Sequence, residues 1–173
     1  ALWEDWAWAY EAHRDNGAYR PDAVSSGRRA LTGMALTFLC LASASRQDDA
    51  WPQRAFQAFQ SASNMTDRFN ALSALVVSGH ALGQDALALF HKMFQHEALV
   101  IDKWFALQIA YAAPDQAASV TEALTAHPAF NWKNPNRFRS VIGALSGNHA
   151  GFHHASGAGY RLVADWLLRL DPV

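Results

Sequence analysis

Apolar residues recur along this chain at three- and four-residue intervals while strand-like alternation is nearly absent, which predicts an all-α protein. Trp3, Trp6, Trp8 and Tyr10 mark a short opening helix that Asn16-Gly17 ends. From Pro21 a longer helix carries Leu31, Met34, Phe38 and Leu41 as its apolar stripe, and the polar stretch from Ser43 to Asp49 breaks it. Pro52 suits the first helical position of the next, which has Phe56 and Phe59 on its inward edge. A fourth helix runs from about Met65 to Ser78, with Phe69, Leu72, Leu75 and Val76 on one face and Gly79 or Gly83 as its stop.

The same spacing returns with Leu87, Phe90 and Phe94, then with Ile101, Trp104, Phe105, Leu107 and Ile109. Pro114 opens a helix carrying Val120 and Leu124 that closes before Pro128. Asn134-Pro135 reads as a cap followed by proline in the first turn, leading into Phe138, Ile142 and Leu145. After a Gly/His-rich loop from Gly147 to Gly159, a last helix carries Leu162, Trp166, Leu167 and Leu170. The sum is about nine helices of roughly 10 to 20 residues joined by short turns. No fixed repeat length names a standard solenoid. The pattern fits an irregular α-α superhelix of armadillo- or HEAT-like stacked helix pairs, with a globular orthogonal bundle as the alternative.

Length sharpens this picture, because 173 residues, 51% of them apolar, suffice for one self-supporting core, so residues 1–173 are expected to form a single helical domain. The only cysteine, Cys40, excludes an internal disulfide framework. With 14 Lys+Arg against 15 Asp+Glu the net charge is -1, which gives no global attraction to nucleic acid or an anionic membrane, and neither is expected as a partner. The longest apolar run, Met34 to Ala42, is interrupted by Thr37 and falls well short of the ~20 residues of a membrane span. The chain opens on Ala1-Leu2-Trp3 and stops at Asp171-Pro172-Val173, just after a helix-like segment, so it is expected to be a piece of a longer polypeptide.

Candidate chemistry is sparse. A zinc peptidase helix needs HExxH, which puts two imidazoles on one face with a glutamate beside the bound water; His96-Glu97 begins that pattern, but Val100 stands where the second His belongs. His149 and His153, followed by His154, have helical spacing, yet the surrounding glycines favour loop histidines that hydrogen-bond or meet solvent. No G-x-S-x-G turn, P-loop or strand-led G-x-G-x-x-G occurs. Cys40 falls in an apolar stripe as a packed thiol, and Asp48-Asp49 beside Arg46 reads as a helix start. Asp102, ahead of Trp104 and Phe105, reads as a helix cap. Arg137 and Arg139 are less ordinary: both sit in the first turns of a helix, where the backbone dipole disfavours cations, so each calls for a carboxylate partner or a ligand. Two residues apart, they point to different sides.

Four blocks carry a resemblance: Asn64-Met65-Thr66-Asp67; Leu99-Val100-Ile101-Asp102-Lys103-Trp104-Phe105; Asn134-Pro135-Asn136-Arg137-Phe138-Arg139-Ser140 with Ile142-Gly143-Ala144; and Phe152-His153 with Gly159-Tyr160. In this order they resemble the C-terminal helical domain of bacterial aminopeptidase N, a zinc metallopeptidase of the gluzincin group, from about Arg29 to Leu170. The resemblance implies a non-catalytic α-helical superhelix that closes over a separate catalytic domain of the same polypeptide and limits access to short, unstructured peptides. HExxH, its third glutamate ligand and G-x-M-E-N belong to that other domain, so no catalytic residue, metal ligand or cofactor is expected here, and zinc is expected in the parent enzyme only. The parent would be a hydrolase removing N-terminal residues from peptide substrates. The resemblance turns Arg139 toward the substrate cavity, with Arg137 and Asn136 as neighbouring candidates. It also implies a cytoplasmic setting, and further family helices after the Leu170 region. The competing expectation is an autonomous α-solenoid module that binds a peptide or protein in its groove.

Overall fold

A computed structural model describes residues 2–15 and 17–171. Asn16, expected to help end the first helix, and Pro172-Val173 lie outside the described residues. Among those residues every regular element is helical. The chain divides into two compact units, up to Leu89 and from Phe90 onward, with the division falling inside α5 (Leu82–Phe94).

The first unit is built on α2 (Ala23–Arg46), against which α1 (Trp3–His13), α3 (Ala50–Ser61) and α4 (Met65–Ser78) pack. Asp22 starts α2 by accepting the Ser25 N–H at 2.9 Å, and Gln47, with φ 53°, ends it in the left-handed region. The helix therefore ends inside the Ser43–Asp49 stretch expected to break it, after running on through Ser43 to Arg46. Ser43 is tolerated inside because its hydroxyl donates to the Leu39 carbonyl at 2.9 Å. The buried face of α2 is Leu36, Leu39, Cys40 and Ser43, spaced i, i+3, i+4, i+7. The expected stripe is offset from it: Met34, Phe38 and Leu41 are exposed, and Phe38 stacks on Trp6 of α1 at 4.8 Å. Phe59 of α3 and Leu72 and Leu75 of α4 complete the core, each burial contributing about 1.5–3 kcal/mol. Asn64 and Asp67 cap α4 reciprocally, Asn64 Oδ1 accepting the Asp67 N–H at 2.9 Å while its amide donates to Asp67 Oδ2 at 2.7 Å.

In the second unit α6 (Ala98–Ala110) buries Ile101, Trp104, Phe105, Leu107 and Ile109 and leaves a narrow stripe with Leu99 and Lys103 exposed. Around it lie α7 (Ala117–Thr125), α8 (Pro135–Phe138), a π-helical turn (Arg139–Gly143) and α9 (Ala144–Gly147), the last three forming one continuous run. Then come α10 (His149–Phe152) and α11 (Ala158–Leu170). α10 is the element beyond the expected set, since it occupies part of the segment expected to be a Gly/His loop. Its glycines serve close packing: a Cβ on Gly151 would sit 2.3 Å from that of Ala117, and one on Gly159 would sit 2.8 Å from the Phe152 carbonyl oxygen. Asn148 ties the region together, its amide donating to the carbonyls of Ile109 and Ala112 at 2.9 Å each while its Oδ1 accepts the Gly151 N–H at 3.0 Å. One side chain thus ends α6 and begins α10.

Candidate functional site

The Asn134–Gly143 segment is set up from its first residue. Asn134 Oδ1 accepts the backbone N–H of Asn136 at 3.0 Å and of Arg137 at 3.4 Å, and Pro135 follows at the first helical position, where its missing N–H is harmless. Arg137 turns inward and is 7% exposed. Its Nε donates to Asp102 Oδ1, its Nη1 to the Ala129 carbonyl and its Nη2 to the Ala98 carbonyl at 3.2 Å, with the guanidinium carbon 5.1 Å from the centre of the Phe105 ring. Asp102 is consequently not a cap. It lies inside α6, whose start is at Glu97, and serves as the part-buried carboxylate partner that the position of Arg137 called for.

After Phe138 the backbone widens into the π-helical turn, a geometry concentrated at functional sites. Arg139 opens this turn and is exposed, as is Asn136; among the described residues neither side chain has an ion-pair or hydrogen-bond partner. A Cβ placed on Gly143 would come no nearer to the Arg139 side chain than 3.7 Å, so the base of Arg139 is uncrowded. The three candidates therefore divide: Arg137 is committed to holding α6, the Ala129 carbonyl and α8 together, while Asn136 and Arg139 are presented outward from the element it fixes.

Beside Arg137 lies a group of rings that sequence reading did not single out. His127 is 5.1 Å from His91, 5.2 Å from Trp104 and 5.6 Å from Phe105 between ring centres, and its Nδ1 accepts the Ala129 N–H at 3.1 Å. Burial first, then the nearby His91 and Arg137, push its pKa below the ordinary 6.5. Cys40 in the first unit is displaced the other way, burial pushing its thiol up to about 12.

The histidines of the α10 region do not make a zinc site. His149 and His153 have ring centres 6.3 Å apart, but His153 Nδ1 is engaged by the Tyr160 hydroxyl at 2.5 Å, and no group of three His, Cys, Asp or Glu that could hold a metal ion occurs among the described residues. No helix of the described residues is long and apolar enough to cross a membrane.

A family model described as "Domain of unknown function (DUF3458_C) ARM repeats" matches residues 1–173. Aminopeptidase N of Caulobacter vibrioides is 39% identical over 158 residues, which is 90% of this chain and 18% of that protein. Aminopeptidase N of Haemophilus influenzae is 42% identical over 114 residues, 65% of this chain and 13% of that protein. Aminopeptidase N of Escherichia coli K12 is 34% identical over 157 residues, 88% of this chain and 17% of that protein. The chain thus spans less than a fifth of the length of these relatives. Among solved structures, Legionella pneumophila aminopeptidase A in complex with aspartic acid superposes with a TM-score of 0.84 at 25% identity, covering 98% of this chain and 20% of that one.

Proposed function

This chain belongs to the DUF3458_C family of ARM-repeat domains, and on that premise we propose that it is the non-catalytic helical domain of a zinc-dependent aminopeptidase N, closing over the catalytic domain of the same polypeptide and restricting entry to short peptides. The parent enzyme removes N-terminal residues, and zinc, bound in the catalytic domain, supplies Lewis-acid activation of the attacking water. The cytoplasmic setting implied by the family resemblance is part of the proposal.

The observation that carries the reading is the arrangement around Arg139. Among the described residues an exposed, unpartnered guanidinium opens a π-helical turn anchored by the pairing of buried Arg137 with part-buried Asp102. A rigidly based arginine can take a peptide's terminal carboxylate or its backbone carbonyls in charge-assisted hydrogen bonds, with Asn136 as a second polar contact. Such contacts orient peptide toward the zinc and raise its effective concentration there, while enclosure keeps folded chains out by size.

The test uses the complete parent polypeptide. Arg139→Ala lowers kcat/KM for a tripeptide about 10-fold while leaving a small chromogenic amino-acid substrate, too short to reach the arginine, nearly unchanged. Equal losses on both substrates, accompanied by a lowered Tm, would remove the substrate role.

A further inference from the structure

The first unit contains a pocket of about 260 Å³ walled by α1, α2 and the α3–α4 joint, away from the candidate turn in sequence and unit. We propose that it is a binding site for a small zwitterion of the α-amino acid class. The inference is independent of the function proposed above.

Two observations single the pocket out. First, its wall contains Arg29, which is 4% exposed. The guanidinium is held in place by Nη2, which donates to the Arg20 carbonyl at 2.6 Å and to Ser26 Oγ at 3.3 Å, and by the Tyr19 ring, 4.6 Å from its central carbon. Nη1 is left with only a loose partner, Asp15 Oδ2 at 3.6 Å, beyond hydrogen-bond distance. A buried guanidinium fixed on one edge and under-used on the other is prepared for an acceptor. Second, Thr32 in the same wall carries an enclosed hydroxyl oxygen with no hydrogen-bond partner, the sole such side-chain atom among the described residues. Arg29 and this hydroxyl are both enclosed as the pocket stands, so a ligand reaches them only with a small outward movement of the wall, and occupancy would then satisfy both.

The charges determine the ligand class. Arg14 and Arg29 supply two cations, and Asp15 and Asp67 supply two anions. The pocket therefore matches a molecule bearing one charge of each sign better than a plain anion, for which the two carboxylates are repulsive. The ligand carboxylate meets Arg29 Nη1 and Arg14, and its ammonium meets the aspartates. Asn70 adds an acceptor: its amide nitrogen already donates to the Arg29 carbonyl at 3.2 Å, leaving its oxygen available. Leu36 and Ala58 leave an apolar patch for a short side chain. At about 260 Å³ the space lies just below the range of drug-sized ligands and is suited to a small amino acid.

The test is a titration of the 173-residue chain, followed by the backbone amide resonances of Thr32, Gly33 and Asn70, with three probes: L-alanine, propionate and L-alaninamide. The expected result is saturable shifts with L-alanine at a Kd of about 1 mM or tighter and at least 10-fold weaker binding of the two half-ligands. Arg14→Ala, a change at a half-exposed residue that leaves Arg29 intact, weakens L-alanine about 10-fold. Linear, non-saturating shifts, or equal binding of L-alanine and propionate, would overturn the proposal in favour of an empty pocket or a plain anion patch.

Discussion

Three arginines show how single residues hold this chain's joints. Arg29 donates to the Arg20 carbonyl, Arg68 to the carbonyls of Phe59 and Ala62, and Arg137 to those of Ala98 and Ala129. The carbonyls of Arg20, Phe59, Ala62 and Ala129 are ones a helix end or joint leaves open, while the Ala98 carbonyl, in the first turn of α6, takes Arg137 as an additional donor. Arg137 and Arg29 are both buried; Arg137 has the carboxylate of Asp102 within hydrogen-bond distance, whereas Asp15 stands 3.6 Å from Arg29. Asp102→Ala removes that partner and leaves a buried charge, so it destabilises by about 3–5 kcal/mol, read as a fall in the denaturation midpoint. Asp102→Asn keeps an acceptor for Nε and loses less, which separates the hydrogen bond from the charge. The neighbouring His127 makes the same region sensitive to pH. Its folded-state pKa lies below 6.5, so in acid the unfolded chain binds the proton first, and protonation also takes the Nδ1 lone pair that holds the Ala129 N–H. Stability from this group is complete above about pH 6.5 and is lost as pH falls toward the folded value. His127→Gln flattens the dependence of Tm on pH in that window; an unchanged slope would assign the dependence to another group.

At the scale of elements, α2 offers a paired test of what glycine does in a helix. A Cβ on Gly27 would meet nothing within 4 Å, whereas one on Gly33 would lie 2.6 Å from Asn70 Nδ2 and 3.0 Å from Asn70 Cβ. Gly27→Ala therefore stabilises by up to about 1 kcal/mol through helix propensity. Gly33→Ala gains the same propensity but pushes Asn70 off the Arg29 carbonyl, for a net loss of about 1–2 kcal/mol, and Asn70→Ala in the same chain removes the contacts with the amide while keeping the 3.0 Å one with Cβ, so it relieves the clash in part. Opposite signs in chemical denaturation are the expected outcome. The same helix shows where sequence periodicity stops informing. Its existence was legible from the spacing of Leu31, Met34, Phe38 and Leu41, but adjacent faces of α2 both carry apolar residues, and spacing alone cannot say which one packs on α4. The break fell within Ser43–Asp49 as expected but not at its first residue, since a serine that bonds its own helix is compatible with burial. A cap was legible where chemistry is local: Asn134 before Pro135 starts its helix as expected, and Asn64, not singled out as a cap, does the same before Met65. Asp102 was not, because its partner lies 35 residues away and only the fold brings them together. The α10 turn was hidden by a run of glycines of which Gly151 and Gly159 serve close approach and Gly157 a positive φ.

For the whole molecule, the resemblance carried by four short blocks extends to a family match over residues 1–173, including the opening segment that those blocks left out. Composition had little to say at this scale beyond excluding classes, because a chain of net charge -1 with no metal-ligand motif has no global signature to read. What remained readable was one local anomaly, two arginines at a helix start. The structure splits them into a buried member with a partner and an exposed member without one. That split allows a sharper test of the proposed function than deletion of Arg139 alone. If the guanidinium engages a peptide's terminal carboxylate, converting that carboxylate to an amide removes the same interaction from the substrate side. In the complete polypeptide, the native enzyme should then prefer the free-acid tripeptide over its C-terminal amide by about 10-fold in kcat/KM, and Arg139→Ala should abolish the preference, the two changes together costing little more than either. An undiminished preference in the variant would assign the carboxylate to another residue. Loss of turnover for acid and amide alike would instead direct Arg139 to the backbone carbonyls, because amidation leaves those in place.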